Sequence, residues 1–198
     1  MFTSFSRTAW LGCLLGIVVI VVLYNYKLII YVPLTLLVLL IPKIKNRFLA
    51  SFTNNYSVAS SLDGRKWAIT NGFYIFKQHL LLGSGPGSYG GKLAANYASP
   101  VYLEGIQKGY TALYYTDNQF LEILVQGGIL GFLSFCGFVV AAFVNLMRQY
   151  FDKNDLFALF TAGAFICFLF SGLFANVLEY GAIAVPMGLI LGASFNEG

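Results

Sequence analysis

The side chains able to do chemistry in this sequence concentrate between residues 62 and 131. Gly83-Ser84-Gly85-Pro86-Gly87 has the glycine content of a phosphate-cradling loop. However, no strand pattern precedes it and no helix pattern opens directly after it, and a dinucleotide-binding fingerprint needs both. The same residues suit a tight turn that follows a helix. His79 is the lone histidine, and neither a zinc site nor a catalytic triad assembles around it. It reads as a surface or interfacial side chain. Cys13, Cys136 and Cys167 each lie in an apolar run, at a spacing that fits no metal or redox motif. They read as small packing residues. Two cations and a carboxylate remain: Arg7, Arg65 and Asp117. Each has a structural reading: interfacial snorkelling for Arg7, a solvated helix charge for Arg65, and a favourable helix N-terminal carboxylate for Asp117. The functional reading rests on their joint placement, which the surrounding elements decide.

Those elements are apolar. The chain has 198 residues, of which 58% are hydrophobic and 10% charged. A soluble domain carries about 25% charged residues. Together with a mean hydropathy of +0.74, this implies an all-α polytopic membrane protein, in one membrane domain covering residues 1–198. The apolar runs predict about five transmembrane helices, near 8–23, 28–41, 118–147, 156–177 and 182–194. A long loop, 43–117, separates the second from the third. One helix through the first two runs would be about 50 Å long, against a hydrocarbon core of about 30 Å. Two spans turning at Tyr24-Asn25-Tyr26-Lys27 fit instead, and no small-residue cleavage site marks a signal peptide. The hairpin returns the chain to its starting side. Arg7, the central loop and the mouth of the third span therefore share one face.

Within the loop, residues 62–81 have helical apolar spacing, with Leu62, Ile69, Phe73, Phe76 and Leu80 on one stripe. Asp63 is an acceptable N-cap and Gly83 an acceptable C′ residue. This predicts an amphipathic helix resting on the membrane surface or on the bundle. Thr116-Asp117-Asn118-Gln119 fits a capping box with Thr116 as N-cap. Gly12/Gly16 and Gly127/Gly131 are paired four apart, a close-packing signal in membrane helices. Arg148, Asp152, Lys153 and Asp155 form a polar connector. Charge leaves orientation open. The short connectors carry Lys27, Arg148 and Lys153, while the loop carries more cations but exceeds the roughly 60 residues over which the positive-inside rule holds.

Three stretches taken in order resemble a known family. Thr3-Ser4-Phe5-Ser6-Arg7 at the start of a span is similar to the serine-arginine motif of the bacterial O-antigen ligase and O-antigen polymerase superfamily. Arg65, followed by His79-Leu80-Leu81-Leu82-Gly83-Ser84-Gly85-Pro86-Gly87, resembles its arginine helix and glycine-proline turn. Thr116-Asp117-Asn118-Gln119-Phe120-Leu121 with Gly127-Gly128-Ile129-Leu130-Gly131 resembles its helix entry. There are departures. Leu80 stands where the family often has proline, and Trp67 lies two residues before the usual tryptophan, where this chain has Ile69. Asp117 replaces the histidine associated with ligases, which points toward polymerases. Family members are longer, and the spans here match their C-terminal half.

The resemblance implies a metal-independent membrane glycosyltransferase without cofactor. It would polymerise or ligate surface polysaccharide, such as capsule or lipopolysaccharide glycan, from an undecaprenyl-diphosphate-linked donor. Its partners would be that donor, a glycan or lipid-glycan acceptor and membrane lipid, with no nucleic acid. It would be a multi-pass protein of the bacterial plasma (inner) membrane, with the loop 43–117 outside. On this reading Arg65 and Arg7 hold the leaving diphosphate and Asp117 takes or orients the acceptor proton. Lys66, Asn118 and Tyr115 contact substrate, and Tyr110, Tyr114 and Tyr115 either stack on sugars or serve as interfacial aromatics. Two other classes are carried alongside. One is a transporter or flippase subunit, although the charges sit at helix ends rather than mid-membrane. The other is a truncated, inactive membrane protein.

Overall fold

The computed structural model describes residues 7–25, 27, 62–97 and 118–196. These residues form six helices and no strand: α1 (Arg7–Tyr24), α2 (Leu62–Gln78), α3 (Gly91–Asn96), α4 (Gln119–Lys153), α5 (Leu156–Gly172) and α6 (Gly181–Asn196). The run at 28–41 and the loop segments holding Tyr110, Tyr114, Tyr115, Thr116 and Asp117 lie outside the described residues. Among those described, α4 is the helix long and apolar enough to cross a membrane. Its 35 residues make it about 52 Å long.

The main core lies where α4, α5 and α6 meet. Ala142 and Leu146 pack against Ala158, Ala162 and Phe165, with Met187 and Leu191 closing the third side. The Ser194 hydroxyl donates to Thr161 Oγ1 at 3.0 Å within this apolar layer, which satisfies two buried polar groups at once.

Helix α1 lies along α5 through small residues. A Cβ on Gly16 would run into the Gly163 carbonyl, and one on Gly12 would come within 3.0 Å of the Cys167 carbonyl oxygen. The Gly12/Gly16 pair therefore does what its spacing predicts. Among the described residues the Gly127/Gly131 pair has no such contact: a Cβ at either position meets none of them within 4 Å. The glycine that matters in α4 is Gly128. The Gly12–Cys167 and Gly16–Gly163 contacts make α1 antiparallel to α5 and bring residue 7 opposite Gly172. At the far end of α1, Tyr150 Oη donates to the Leu23 carbonyl at 3.0 Å. The connector after α1 and the one after α4 thus share the opposite end of the bundle.

The α4–α5 turn is short because its chemistry is local. Asn154 adopts φ 53, and its N–H donates to the Gln149 carbonyl. Asparagine tolerates this left-handed cap. Asp155 then caps α5 by accepting from the Phe157 N–H at 2.8 Å.

Several boundaries differ from the sequence expectation. Helix α2 begins at Leu62 and ends at Gln78, so Asp63 lies inside the first turn rather than at the N-cap. Gly83 lies beyond any C′ position. Helix α5 ends at Gly172 rather than continuing to 177. Its end tightens through Leu173 N–H to Phe170 O at 3.2 Å, and the residues beyond are drawn aside by side-chain bonds to α4. A six-residue helix, α3, also opens at Gly91, soon after the glycine turn.

Candidate functional site

Helix α4 is broken near its N-terminal end. Gly128 has φ 65 and ψ −167, a region open essentially to glycine alone. A break of this kind strands the carbonyls before it and the N–H groups after it. The turn after α2 satisfies both sets. Val125 O and Gln126 O accept from the N–H groups of Ser84 and Gly85, each at 3.0 Å. Ile129 N–H and Leu130 N–H donate to Leu80 O and Leu81 O at 2.9 and 3.2 Å. Residues 80–85 thus fill the gap in the helix ladder, in keeping with the rule that backbone polar groups inside a protein are paired. The approach is close enough to require two glycines. A Cβ on Gly83, at φ +73, would strike the Gln126 carbonyl and the Gly128 nitrogen. One on Gly128 would strike Gly83 N and Leu81 O.

The turn is held further by its serines. Ser84 Oγ donates to Val125 O at 3.0 Å, Ser88 Oγ donates to Gly85 O at 2.6 Å, and the two hydroxyls meet. Beneath it, Ile75 of α2 packs with Tyr89, Leu121 and Val125 in a second core. Gly72 lets the Tyr89 hydroxyl lie against the α2 backbone. Burial, and after it the Glu122 carboxylate, pushes the Tyr89 phenol above its ordinary value and keeps it a hydrogen-bond donor.

Glu122 is the hub of this region and is 4% exposed. Its Oε2 accepts from Asn176 Nδ2 at 2.7 Å and from Gln119 Nε2 at 3.1 Å. Its Oε1 accepts from Gln126 Nε2 at 3.1 Å. The far ends of two of these amides reach backbone. Gln119 Oε1 accepts from Leu178 N–H at 2.9 Å, and Gln126 Oε1 accepts from Gly87 N–H at 3.2 Å. One carboxyl group therefore ties together the mouth of α4, the glycine turn and the α5–α6 connector. The connector also brings the Glu179 carboxyl within hydrogen-bonding reach of Glu122. That carboxyl occupies the space a side chain at Gly91 would need.

The mouth of α4 is capped by Asn118, not Thr116. Asn118 Oδ1 accepts from the Leu121 N–H at 3.0 Å. Gln119, expected at the third helical position of a capping box, is the first residue of the helix and turns inward to Glu122. Asn118 was expected to contact substrate, and this bond occupies one of its side-chain acceptor sites.

The backbone brings some of the expected site residues to one end of the bundle. Arg7 starts α1 opposite Gly172, and a Cβ on Gly172 would come within 3.5 Å of Gln119 and Phe120 at the α4 mouth. Helix α2 advances in the same sense as the first part of α4. Gly72 meets Leu121, and residues 80–85 meet the break. Arg65 and Lys66 precede Gly72 by about two turns, or roughly 10 Å, and so lie toward the Asn118 end. Asp117 and Tyr115 fall outside the described residues. His79 is exposed, as expected.

Glu122, Gln119, Gln126, Asn176 and Glu179 did not stand out as site residues in the sequence. The available signal was Glu122 itself, an ionisable residue just inside an apolar helix, which carries a functional expectation by default. No group of three or more His, Cys, Asp or Glu side chains among the described residues could hold a metal ion.

The fold and site define a class: an all-helical protein built on a long apolar helix, broken near one end and repaired by a glycine turn, with a buried polar platform beside the break. The O-antigen ligase family profile matches residues 1–136, which include α1, α2, the turn and the broken part of α4. The chain belongs to that family. Membership brings an O-antigen ligase-like glycosyltransferase activity, lipid-linked glycans as the general substrate and the bacterial inner membrane as the setting. No curated protein and no solved structure matches it.

Proposed function

We propose that this chain is a membrane glycosyltransferase that extends surface polysaccharide on the outer face of the plasma membrane. It uses an undecaprenyl-diphosphate-linked donor and works as a polymerase rather than a ligase. The observation that carries the reading is the family match over residues 1–136, which spans all three motifs bearing Arg7, Arg65 and Asp117. The convergence of α1, α2 and α4 at one end of the bundle supports it.

In this reading the acceptor hydroxyl attacks the anomeric carbon of the donor glycan. A carbon–oxygen bond to the acceptor forms as the bond to the diphosphate breaks. The electron pair leaves with the diphosphate, and the hydroxyl proton passes to Asp117 or, through it, to water. Arg65 and Arg7 stabilise the charge that develops on the leaving group, with Lys66 beside them. Two guanidinium groups supply positive charge without a metal. Asp117 orients the acceptor or acts as base, and Asn118 and Tyr115 lie along the sugar path. An aspartate where ligases carry histidine favours polymerase over ligase.

Arg65→Ala and Asp117→Ala test the reading. Each should abolish polymer in cells while the protein stays in the membrane fraction, read by glycan gels beside an immunoblot. Normal surface glycan from both variants overturns the assignment.

A further inference from the structure

The turn that repairs α4 presents three consecutive leucines outward. Leu80, Leu81 and Leu82 are 47, 66 and 77% exposed. Apolar surface of this kind on the outside of a protein marks a contact with something apolar. Its position identifies the contact. Leu80 and Leu81 are bonded through their carbonyls to Ile129 and Leu130, so the leucines flank the first turn of α4 after the break. In that stretch Leu130 and Leu133 are themselves exposed. The two surfaces are continuous. From residue 129 to 147 the helix is about 28 Å long, close to the hydrocarbon thickness of about 30 Å. With the far edge set at Met147, just before the charged Arg148, the level of Ile129 falls at the near edge of the acyl-chain region.

Helix α2 extends the same surface. The stripe read from the sequence is divided: Phe76 lies against the bundle core, while Ile69, Phe73 and Leu80 face outward. Ile75 makes the main bundle contact, with Phe76 partly buried beside it. Ile69 and Phe73 are exposed and lead to Leu80 at helical spacing. Lys77 is exposed alongside, where an ammonium can reach headgroups.

We propose that residues 80–82 are seated among phospholipid acyl chains of the near leaflet, with the Ile69 and Phe73 side of α2 lying along the headgroup boundary. The Leu80 and Leu81 carbonyls are already paired within the protein, which lowers the cost of placing this stretch of backbone at that depth. The turn then does two things at once: it completes the helix ladder and anchors the loop to the lipid surface. The proposal rests on α4 spanning the bilayer.

The test uses nitroxide labels on single cysteines at Leu81, Leu133 and Asn154. The native Cys13, Cys136 and Cys167 are replaced by serine, and the full chain is reconstituted in phosphatidylethanolamine–phosphatidylglycerol vesicles. Collisions with dissolved oxygen report lipid, and collisions with a neutral nickel chelate report water. The oxygen-to-nickel ratio at Leu81 should match that at Leu133 and exceed that at Asn154 several-fold. A ratio at Leu81 equal to that at Asn154, with Leu133 still in lipid, overturns the proposal and leaves the spanning helix intact. A Leu81 label shielded from both reagents means that protein covers the turn, and also overturns it. Nickel access at Leu133 overturns the spanning reading and this proposal together.

Discussion

At the scale of single residues, two glycines and one glutamate set the geometry. Gly127 and Gly128 are neighbours with opposite requirements. Gly128→Ala places a Cβ in a glycine-only conformation, costing about 1–3 kcal/mol, and drives it into Gly83 N and Leu81 O. Gly127→Ala meets open space and should gain up to about 1 kcal/mol of helix propensity. Thermal unfolding in detergent should show the first variant falling and the second holding or rising. A similar loss in both would mean that the break is not set by Gly128.

Glu122→Ala leaves the amides of Gln119, Gln126 and Asn176 without the oxygens they now donate to. A buried unsatisfied polar group costs about 1–3 kcal/mol. The variant should unfold earlier and expose the α5–α6 connector to hydrogen exchange, because Asn176 and the Leu178 N–H are held through this hub. Unchanged exchange at Leu178 would show that the connector is held by other contacts. Glu122 was readable as an anomaly in the sequence, a carboxylate one turn into an apolar run. Its partners were not, because Asn176 lies 54 residues away in sequence.

At the scale of elements, the unit of construction is a pair of segments joined through backbone. Residues 80–85 and the broken start of α4 are separated by some 40 residues, and Ser84 Oγ reaches Val125 O across 41 of them. Sequence periodicity located α2 and the start of α4 within a few residues because apolar spacing repeats locally, but α4 runs on to Lys153 through Arg148 and Asp152, which the sequence assigns to a connector. The same reading placed the close-packing glycine of α4 one residue early and took the glycine-proline turn for a simple reversal. Neither the φ of Gly128 nor the pairing of the turn has a period to detect.

The α1–α5 contact shows the opposite case. Gly12 and Gly16 were recognisable because their spacing keeps them on one helix face, and both approach α5. Gly16→Leu puts a branched side chain against the Gly163 backbone, which cannot move aside as a side chain can. It should detach α1 from α5 and lower the unfolding midpoint in detergent. Gly131→Leu, with none of the described residues within 4 Å of its Cβ, should leave the midpoint unchanged. Equal effects would argue against glycine-mediated packing.

At the scale of the whole molecule, the ends of the bundle differ. One end collects the starts of α1 and α4, the end of α5 and the polar platform. The other collects the Leu23–Tyr150 contact and the tight α4–α5 turn. A cysteine at Ser57, in a chain whose native cysteines are replaced, separates the two possible orientations. Labelling in intact cells by an impermeant thiol reagent is expected if the loop faces outside. Labelling only after lysis would put the loop, and with it the proposed chemistry, on the cytoplasmic side.

The sequence by itself determined the helical class, the approximate extents of α1, α2 and α6, the start of α4, the Gly12/Gly16 contact and the family. These follow from composition, local periodicity and short motifs, which need no knowledge of what lies opposite. Only the tertiary structure decided that Asn118 caps α4, that the apolar stripe of α2 is shared between the bundle (Phe76) and the outside (Ile69, Phe73), and that the glycine turn is a missing piece of another helix. Each of these depends on which distant backbone group or side chain comes to face the residue, and that partner is chosen by how the helices pack.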